Sequence, residues 1–184
     1  MGSGDRSAAV GGFYTVVRHE QHGLFGGLLL LNRNGRPLEF HCTAPIKPNR
    51  AQEILYGASL ESYLHGEAIG AALLAKASAP PTFVCVETPA ALAVREFVEA
   101  PVAMIVAEAQ AETEDRPLFR VDAAHERGLH SVTFGSRRLA LAKRFAADEK
   151  PLAEQLATLP EHFDLAEPFA RIRGAIEEAQ RSGR

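Results

Sequence analysis

Histidines and a cysteine that could bind zinc are concentrated early in the sequence, at His19, His22, His41 and Cys42. A predicted turn separates His19 from His22, and a predicted hairpin brings His41 towards them. His41 and Cys42 are neighbours in a predicted strand, however, and neighbouring strand residues point to opposite faces. We therefore expect His41 to face solvent, and we predict no metal and no other cofactor at these residues.

Neither cysteine lies in a setting that favours a nucleophile. Cys42 would need a nearby base to lower the pKa of its thiol, and His41 points away from it. Cys85 lies between Val84 and Val86 in an apolar run. We expect both thiols to be buried in a reducing compartment, and we identify no catalytic residue.

A basic stretch near the end of the predicted sheet could bind phosphates. Its cations are Arg137, Arg138, Lys143 and Arg144, and no acidic residue lies among them. Phe134 and Phe145 flank this basic patch and could stack on bases. The formal net charge of the chain is -3, so its whole surface does not favour nucleic acid. We favour a solvated basic face that balances the acidic residues at 108–115, and nucleic-acid binding is a secondary hypothesis.

Residues 41–57 form the segment that we favour for a small ligand or a protein partner. They combine the polar face of a strand, a linker stiffened by prolines and the start of a helix, where anions bind readily. The candidate binding residues are His41, Asn49, Arg50 and Tyr56. Asn49 is also predicted to cap the helix, and Gly57 to end or bend it. The competing interpretation is a helix start that only packs well.

Hydrophobic patterning predicts the elements that must position these residues. Asn34-Gly35 is the strongest hairpin signal, and it joins the last two of three antiparallel strands. Two later buried strands joined by a helix imply parallel pairing with a right-handed crossover. The predicted strands are 13–20, 24–31, 36–43, 82–86 and 102–107, and the predicted helices before residue 100 are 49–57, 59–75 and 90–99.

The remainder of the chain is predicted as an acidic loop over 108–117, short strands over 118–121 and 129–134, and an ambiguous segment over 137–145. Helices follow over 151–159 and 164–181, the second with a capping box from Asp164 to Glu167. The predicted domain organisation is a disordered tail over 1–12, an α/β domain over 13–145 and a C-terminal helical arm over 146–184 that packs on the domain. This arm is strongly amphipathic, so we expect it to contact partners.

Composition and targeting signals narrow the class of protein. Hydrophobic residues make up 46% of the chain and charged residues 23%, which is typical of a globular protein and excludes disordered and collagen-like chains. The longest apolar run, 24–31, is far shorter than the roughly 20 residues that a membrane span requires. No secretory signal is recognisable in the first residues. We therefore expect a cytoplasmic protein without membrane contact.

The predicted element order, β-β-β-α-β-α-β, describes a mixed α/β sheet of about five main strands with a C-terminal hairpin and helical extension. This order resembles the ribonuclease H-like fold and, more loosely, profilin-like adaptor modules such as the roadblock proteins. The first resemblance implies carboxylates that hold two metal ions around a phosphate. It also implies an aspartate on the first strand, but residues 13–19 contain no acid. The available metal ligands are then Glu20, Glu53 and Glu87.

Two functional hypotheses follow from the sequence. The leading one is a non-catalytic adaptor module that binds a protein partner, copies of itself, or both, because no acid–base pair or nucleophile set is recognisable. The alternative is a metal-dependent ribonuclease H-like enzyme that acts on nucleic acid.

Overall fold

Seven strands form one mixed sheet in the order β3-β2-β1-β4-β5-β7-β6. The computed structural model describes residues 11–106 and 128–182 of the chain. The strands are β1 (Gly11–His19), β2 (Gly23–Leu31), β3 (Pro37–Cys42), β4 (Phe83–Val86), β5 (Val102–Ile105), β6 (Leu129–Phe134) and β7 (Arg137–Ala142). The predicted mixed α/β sheet is confirmed, and it has more strands than the five main ones expected.

The first three strands form the predicted antiparallel meander. β1 pairs with β2 along its whole length, from Gly11 opposite Leu31 to His19 opposite Gly23. β3 pairs with the other edge of β2 across the predicted Asn34-Gly35 turn. The Asn32 side chain accepts hydrogen bonds from two backbone amides of this turn, at 3.0 Å each. The sequence pattern fixes this part of the fold because both the alternation and the turn residues are local signals.

The central pairings are parallel, and the sequence predicts the one between β4 and β5. β4 pairs with β1, and β5 pairs with β4 after a crossover through a 3₁₀ helix over Pro89–Glu96. Residues 13–43 and 82–107 therefore contribute to the same sheet in their described parts. β2 follows β1 in the chain and lies on one side of the β1–β4 pair, whereas β5 follows β4 and lies on the other side. The direction in which the chain adds strands to the sheet therefore reverses between β1 and β4.

The described residues contain four helices besides short 3₁₀ turns. They are α1 (Arg50–Tyr56), α2 (residues 60–74), α3 (Glu149–Leu156) and α4 (Glu167–Ser182). The middle of α2, Tyr63–Ala71, is π-helical, whereas the sequence predicts an ordinary helix there. Such segments are rare and are usually single turns. This geometry depends on close packing that no local pattern predicts.

Each face of the sheet is covered by its own set of helices. On one face, α3 and α4 bury leucine, phenylalanine and isoleucine side chains together with Phe13 and Cys85. On the other face, α2 and the Pro89–Glu96 helix pack against Tyr14, Leu28 and Val84. Burial of apolar side chains on both faces explains the continuous apolar run of β2.

The C-terminal part of the chain completes the sheet. β6 and β7 form a hairpin, and β7 pairs with β5, so the segment 137–145 that the sequence leaves ambiguous begins as a strand. β1 begins at Gly11, inside the segment 1–12 predicted as a disordered tail. The rest of that tail lies outside the described residues, as do the predicted strand over 118–121 and the acidic loop.

Residues 149–182 supply one side of the core. The buried side chains of α3, α4 and their connection include Leu152, Leu156, Leu165, Phe169 and Ile172. The apolar face of the predicted arm is thus turned towards the sheet. Among the described residues, no helix combines the length and the apolar composition that crossing a lipid bilayer requires.

Candidate functional site

Helix α1 exposes its apolar side chains to solvent. Ile54 is 66% exposed and Leu55 is 82% exposed, and α1 contains no buried residue. Seven residues are far too few for a helix to be stable in water by itself. Other contacts must therefore hold α1 in place while its apolar side remains uncovered by the described part of the chain.

Capping interactions define both ends of α1. The Asn49 side chain accepts a hydrogen bond from the Gln52 backbone amide at 2.9 Å, and the Gln52 side chain accepts one from the Asn49 amide at 3.0 Å. This reciprocal pair confirms the predicted N-cap. At the other end Gly57 has a φ of 49°, a left-handed value that favours glycine, and its amide donates to the Glu53 carbonyl. Gly57 thus ends α1 as predicted.

An aromatic stack joins α1 to α2. The rings of Tyr56 and Tyr63 are 4.0 Å apart between centroids and lie within 18° of parallel. Burial raises the pKa of Tyr56 above its ordinary value, and a hydrogen bond with Tyr63 adds to this rise. Tyr56 therefore supports the helix although it is 37% exposed, and Ile54 and Leu55 are the large apolar side chains of α1 that are exposed most.

The linker before α1 is held against the β1–β2 turn. Ile46 exchanges two backbone hydrogen bonds with Leu24, each of 2.8 Å, and so extends the edge ladder beyond β3. The Lys47 ammonium group donates to the Gln21 carbonyl. These contacts fix the start of α1 relative to the sheet, which a flexible linker would not do.

The other candidate binding residues make local contacts. Arg50 forms an exposed ion pair with Glu53 at 3.0 Å. The His41 Nε2 atom lies 2.9 Å from a carboxylate oxygen of Glu39. Glu39 also accepts a hydrogen bond from the Ser78 amide. Both contacts lower the pKa of the Glu39 carboxyl group, and the contact with His41 has the larger effect. His41 and Glu39 thus tie the edge strand to the chain that follows α2.

The two cysteines differ in burial. Cys85 is buried in β4, and burial raises the pKa of its thiol to about 12, which suppresses the reactive thiolate. Cys42 is exposed at the edge strand β3, so the prediction that both thiols are buried is wrong for Cys42. An edge strand lacks a neighbour on one side, and the alternation of the sequence does not reveal which strand lies at the edge.

Within residues 11–106 and 128–182, no group of three or more histidine, cysteine, aspartate or glutamate side chains could hold a metal ion. His19 and His22 lie together at the β1–β2 turn, with ring centroids 4.6 Å apart, but His41 pairs with Glu39.

The three glutamates of the alternative metal site occupy different environments. Glu20 and Glu53 line a surface cavity of about 390 Å³ beside the β1–β2 turn. Glu87, which follows β4, does not line this cavity. It accepts a hydrogen bond from the Thr15 hydroxyl at 2.7 Å, and Arg173 of α4 donates to both of its oxygens, at 2.8 and 2.7 Å.

The Thr15–Glu87–Arg173 cluster lies where the sheet order reverses between β1 and β4. Ligands of open α/β sheets commonly bind near such reversals. In this protein the Arg173 guanidinium group already neutralises the Glu87 carboxylate. Sequence analysis identified Glu87 but missed Thr15 and Arg173, because they lie 72 and 86 residues away from it in the chain.

The residues of the basic patch differ in their contacts. The Arg137 guanidinium group donates to the carbonyl oxygens of Pro160 and Phe163, at 3.0 and 3.1 Å, and so anchors the segment before α4. Arg138 follows it on β7 and is exposed on the opposite side of the strand. Arg144 pairs with Glu96, and Lys143 is exposed. Arg137 and Arg144 therefore have partners within the fold, and binding of phosphate by this patch stays a prediction.

The fold and the site together define an α/β protein with a seven-stranded mixed sheet and a capped, exposed apolar helix. A comparison with models of known protein families finds no match to the chain, and a comparison with curated proteins finds none either. We therefore argue the function from the geometry.

Proposed function

We propose that this protein is a non-catalytic module that binds a protein partner through α1. The observation that carries the proposal is the exposure of Ile54 and Leu55 on a helix that is capped at both ends. Exposed side chains of this size favour contact with another apolar surface, because burial releases roughly 25 cal/mol for each Å² of apolar area removed from water.

The rigid attachment of α1 supports the same proposal. The Asn49 cap, the Tyr56–Tyr63 stack and the Ile46–Leu24 bridge hold the helix before any partner arrives. A helix that is ordered in advance loses less conformational entropy on binding than a flexible segment does. A second copy of the chain is one partner that this surface admits.

A photo-crosslinking experiment in cells tests the proposal. A photoreactive amino acid replaces Leu55 in one variant and Phe97, which is also exposed at 46%, in a matched control. We expect a defined protein adduct from position 55 and none of similar yield from position 97. Equal yields from both positions, or no adduct from position 55, would contradict the proposal.

The second candidate function is a metal-dependent enzyme of the ribonuclease H-like type. What favours it is the described strand order 3-2-1-4-5 within the sheet, with Glu87 at the carboxyl end of β4. Two observations argue against it: Glu87 forms an ion pair with Arg173, and Glu20 and Glu53 line a cavity that Glu87 does not line.

A direct assay separates the two candidates. Purified protein is incubated with Mg²⁺ or Mn²⁺ and with single-stranded RNA, double-stranded DNA or an RNA–DNA hybrid. The leading proposal predicts no cleavage above buffer. Cleavage that requires the metal and is lost in Glu87→Gln, but not in Glu53→Gln, would favour the enzyme with Glu87 as a metal ligand.

A further inference from the structure

His65 is a buried polar residue whose hydrogen-bonding capacity is not satisfied. It is only 7% exposed, and its Nδ1 atom has no hydrogen-bond partner within the part of the chain that the structure describes. Most buried polar side-chain atoms in folded proteins have a partner, so an orphaned nitrogen of this kind calls for an explanation. His65 also lies in the π-helical part of α2, Tyr63–Ala71.

The packing around His65 leaves little room for rearrangement. The His65 carbonyl oxygen accepts a hydrogen bond from the buried Tyr14 hydroxyl group. A Cβ atom added at the next residue, Gly66, would lie 2.7 Å from the Cβ atom of Ala93. A Cβ atom added at Gly70 would lie 2.7 Å from both the His65 carbonyl oxygen and Val94. Packing this close leaves no space within the segment for the His65 ring to move without displacing its neighbours.

The charged groups around His65 do not compensate a buried imidazolium. On its own helix Glu61 favours the charged form, but Arg18 of β1 opposes it, and these two residues form an ion pair with each other at 3.7 Å. Tyr14 of β1 contacts the backbone carbonyl of His65.

The Pro89–Glu96 helix presents Ala93 to this region of α2. Of its charged residues, Arg95 pairs with Asp148 and Glu96 pairs with Arg144. Burial is the largest influence on His65, and it lowers the pKa of the imidazole below its ordinary value of 6.5.

We infer that His65 is a proton-sensitive element of α2: the π-helical segment keeps its packing while the imidazole is neutral and opens when the imidazole binds a proton. The neutral ring carries one N–H donor and one acceptor nitrogen. The protonated ring would bring a charge and a second N–H group into a site without an acceptor at Nδ1. Opening of the segment lets the charged ring reach water.

The direction of the pH effect follows from linkage. The opened state binds a proton with a pKa near 6.5, and the packed state binds it only at lower pH. The stability of the packed segment is therefore complete above pH 6.5 and falls as the pH decreases towards the pKa of the packed state. The equilibrium constant for opening increases by up to about tenfold for each pH unit in this window.

Hydrogen exchange on the full chain at pH 7.5 and pH 5.5 tests the inference, with rates corrected for intrinsic exchange. We expect the protection of amides in Tyr63–Ala71 to decrease up to about tenfold, relative to β4 amides, between these pH values. His65→Gln should abolish this decrease, and the exposed control His162→Gln should retain it. The inference would be overturned if the protection of Tyr63–Ala71 amides relative to β4 amides were the same at both pH values in the native protein. It would also be overturned if this relative protection decreased equally in His65→Gln.

A second measurement covers the case in which His65→Gln does not fold. An NMR titration of the histidine rings in the native protein gives the midpoint for His65 directly. We expect a midpoint below 6.5, accompanied by shifts of the α2 backbone amides over the same pH range. A midpoint at 6.5 or above, or a titration without any change in α2, would overturn the inference.

Discussion

Helices α1 and α4 use their apolar residues in opposite ways. α4 turns Phe169, Ile172 and Ile176 onto the sheet, where all three are buried. α1 leaves Ile54 and Leu55 exposed, and its order depends on caps and one aromatic stack. The long, regularly amphipathic helix is thus part of the core, whereas the short helix exposes its two large aliphatic side chains.

Because the apolar face of α4 is buried on the sheet, the expectation that the C-terminal arm contacts partners stays a prediction for its exposed face alone. The amphipathic pattern of residues 164–181 correctly marks a face that must be buried. The pattern does not say whether the burying surface belongs to the same chain. For α4 it does, since Gly27 of β2 lies directly beneath Ile172 and Ile176.

The largest expected effect is a loss of stability when α4 loses its central aromatic side chain. Phe169 is buried and packs edge-on against Phe13, with 5.8 Å between the ring centroids. We expect Phe169→Ala to lower the free energy of unfolding by about 4 kcal/mol, measured by chemical denaturation. Ala179→Ser on the exposed side of α4 is the control and should change it by less than about 0.5 kcal/mol. A similar small change for both variants would show that α4 does not belong to the core.

Two glycine substitutions compare the buried side of α4 with its exposed side. Gly27 lies on β2 beneath the buried side, and Gly174 lies on the exposed side of α4 itself. A Cβ atom at Gly27 would lie 2.3 Å from Ile172, so Gly27→Ala should destabilise the protein by about 2 kcal/mol through overpacking. A Cβ atom at Gly174 meets nothing within 4 Å, so Gly174→Ala should stabilise the helix by up to about 1 kcal/mol. Thermal denaturation of both variants measures the two effects. A change of stability in the same direction for both variants would contradict the packing of α4 on β2.

A smaller and local effect is expected at the cap of α1. Asn49→Ala removes the side-chain acceptor for the Gln52 amide and should cost about 1 kcal/mol of helix stability. Because α1 buries no residue, we expect this loss to appear as faster amide exchange in Arg50–Tyr56 with an unchanged global unfolding transition. A shift of the global transition by the same amount would mean that α1 unfolds together with the sheet.

The smallest expected effect is at the exposed side chain of α1. We expect Leu55→Ser to change the free energy of unfolding by less than about 0.5 kcal/mol, measured on dilute protein by chemical denaturation. Loss of the photo-crosslinked adduct, without loss of stability, is the combination that an interaction surface predicts. A destabilisation above about 1 kcal/mol would show that Leu55 is covered in solution.

Local signals account for the parts of the fold that the sequence predicts well. The Asn34-Gly35 turn, the Asn49 cap and the glycine that ends α1 depend on neighbours within a few residues. The parallel pairing of β4 and β5 follows from a crossover rule that needs only the order of the elements. These predictions succeed because no distant contact is required to make them.

Features that depend on tertiary contacts could not be predicted in the same way. The π-helical geometry of α2 accompanies the contact of Gly66 with Ala93. The anchoring of Arg137 by the carbonyl oxygens of Pro160 and Phe163 is a second feature of this kind. The exposure of Cys42 depends on β3 being an edge strand. To predict any of these features, one must know which helices and strands are neighbours in the folded protein.

The parallel pairing of β1 with β4 also sets an order for the folding reaction. Gly11 lies opposite Phe83, so this pair closes a long chain loop, whereas β1 and β2 are joined by a short turn. The entropy lost in closing a loop grows with its length, and non-local pairs of this kind slow folding. We therefore expect the β1–β2–β3 meander to form early and β4 to dock on it in the rate-limiting step.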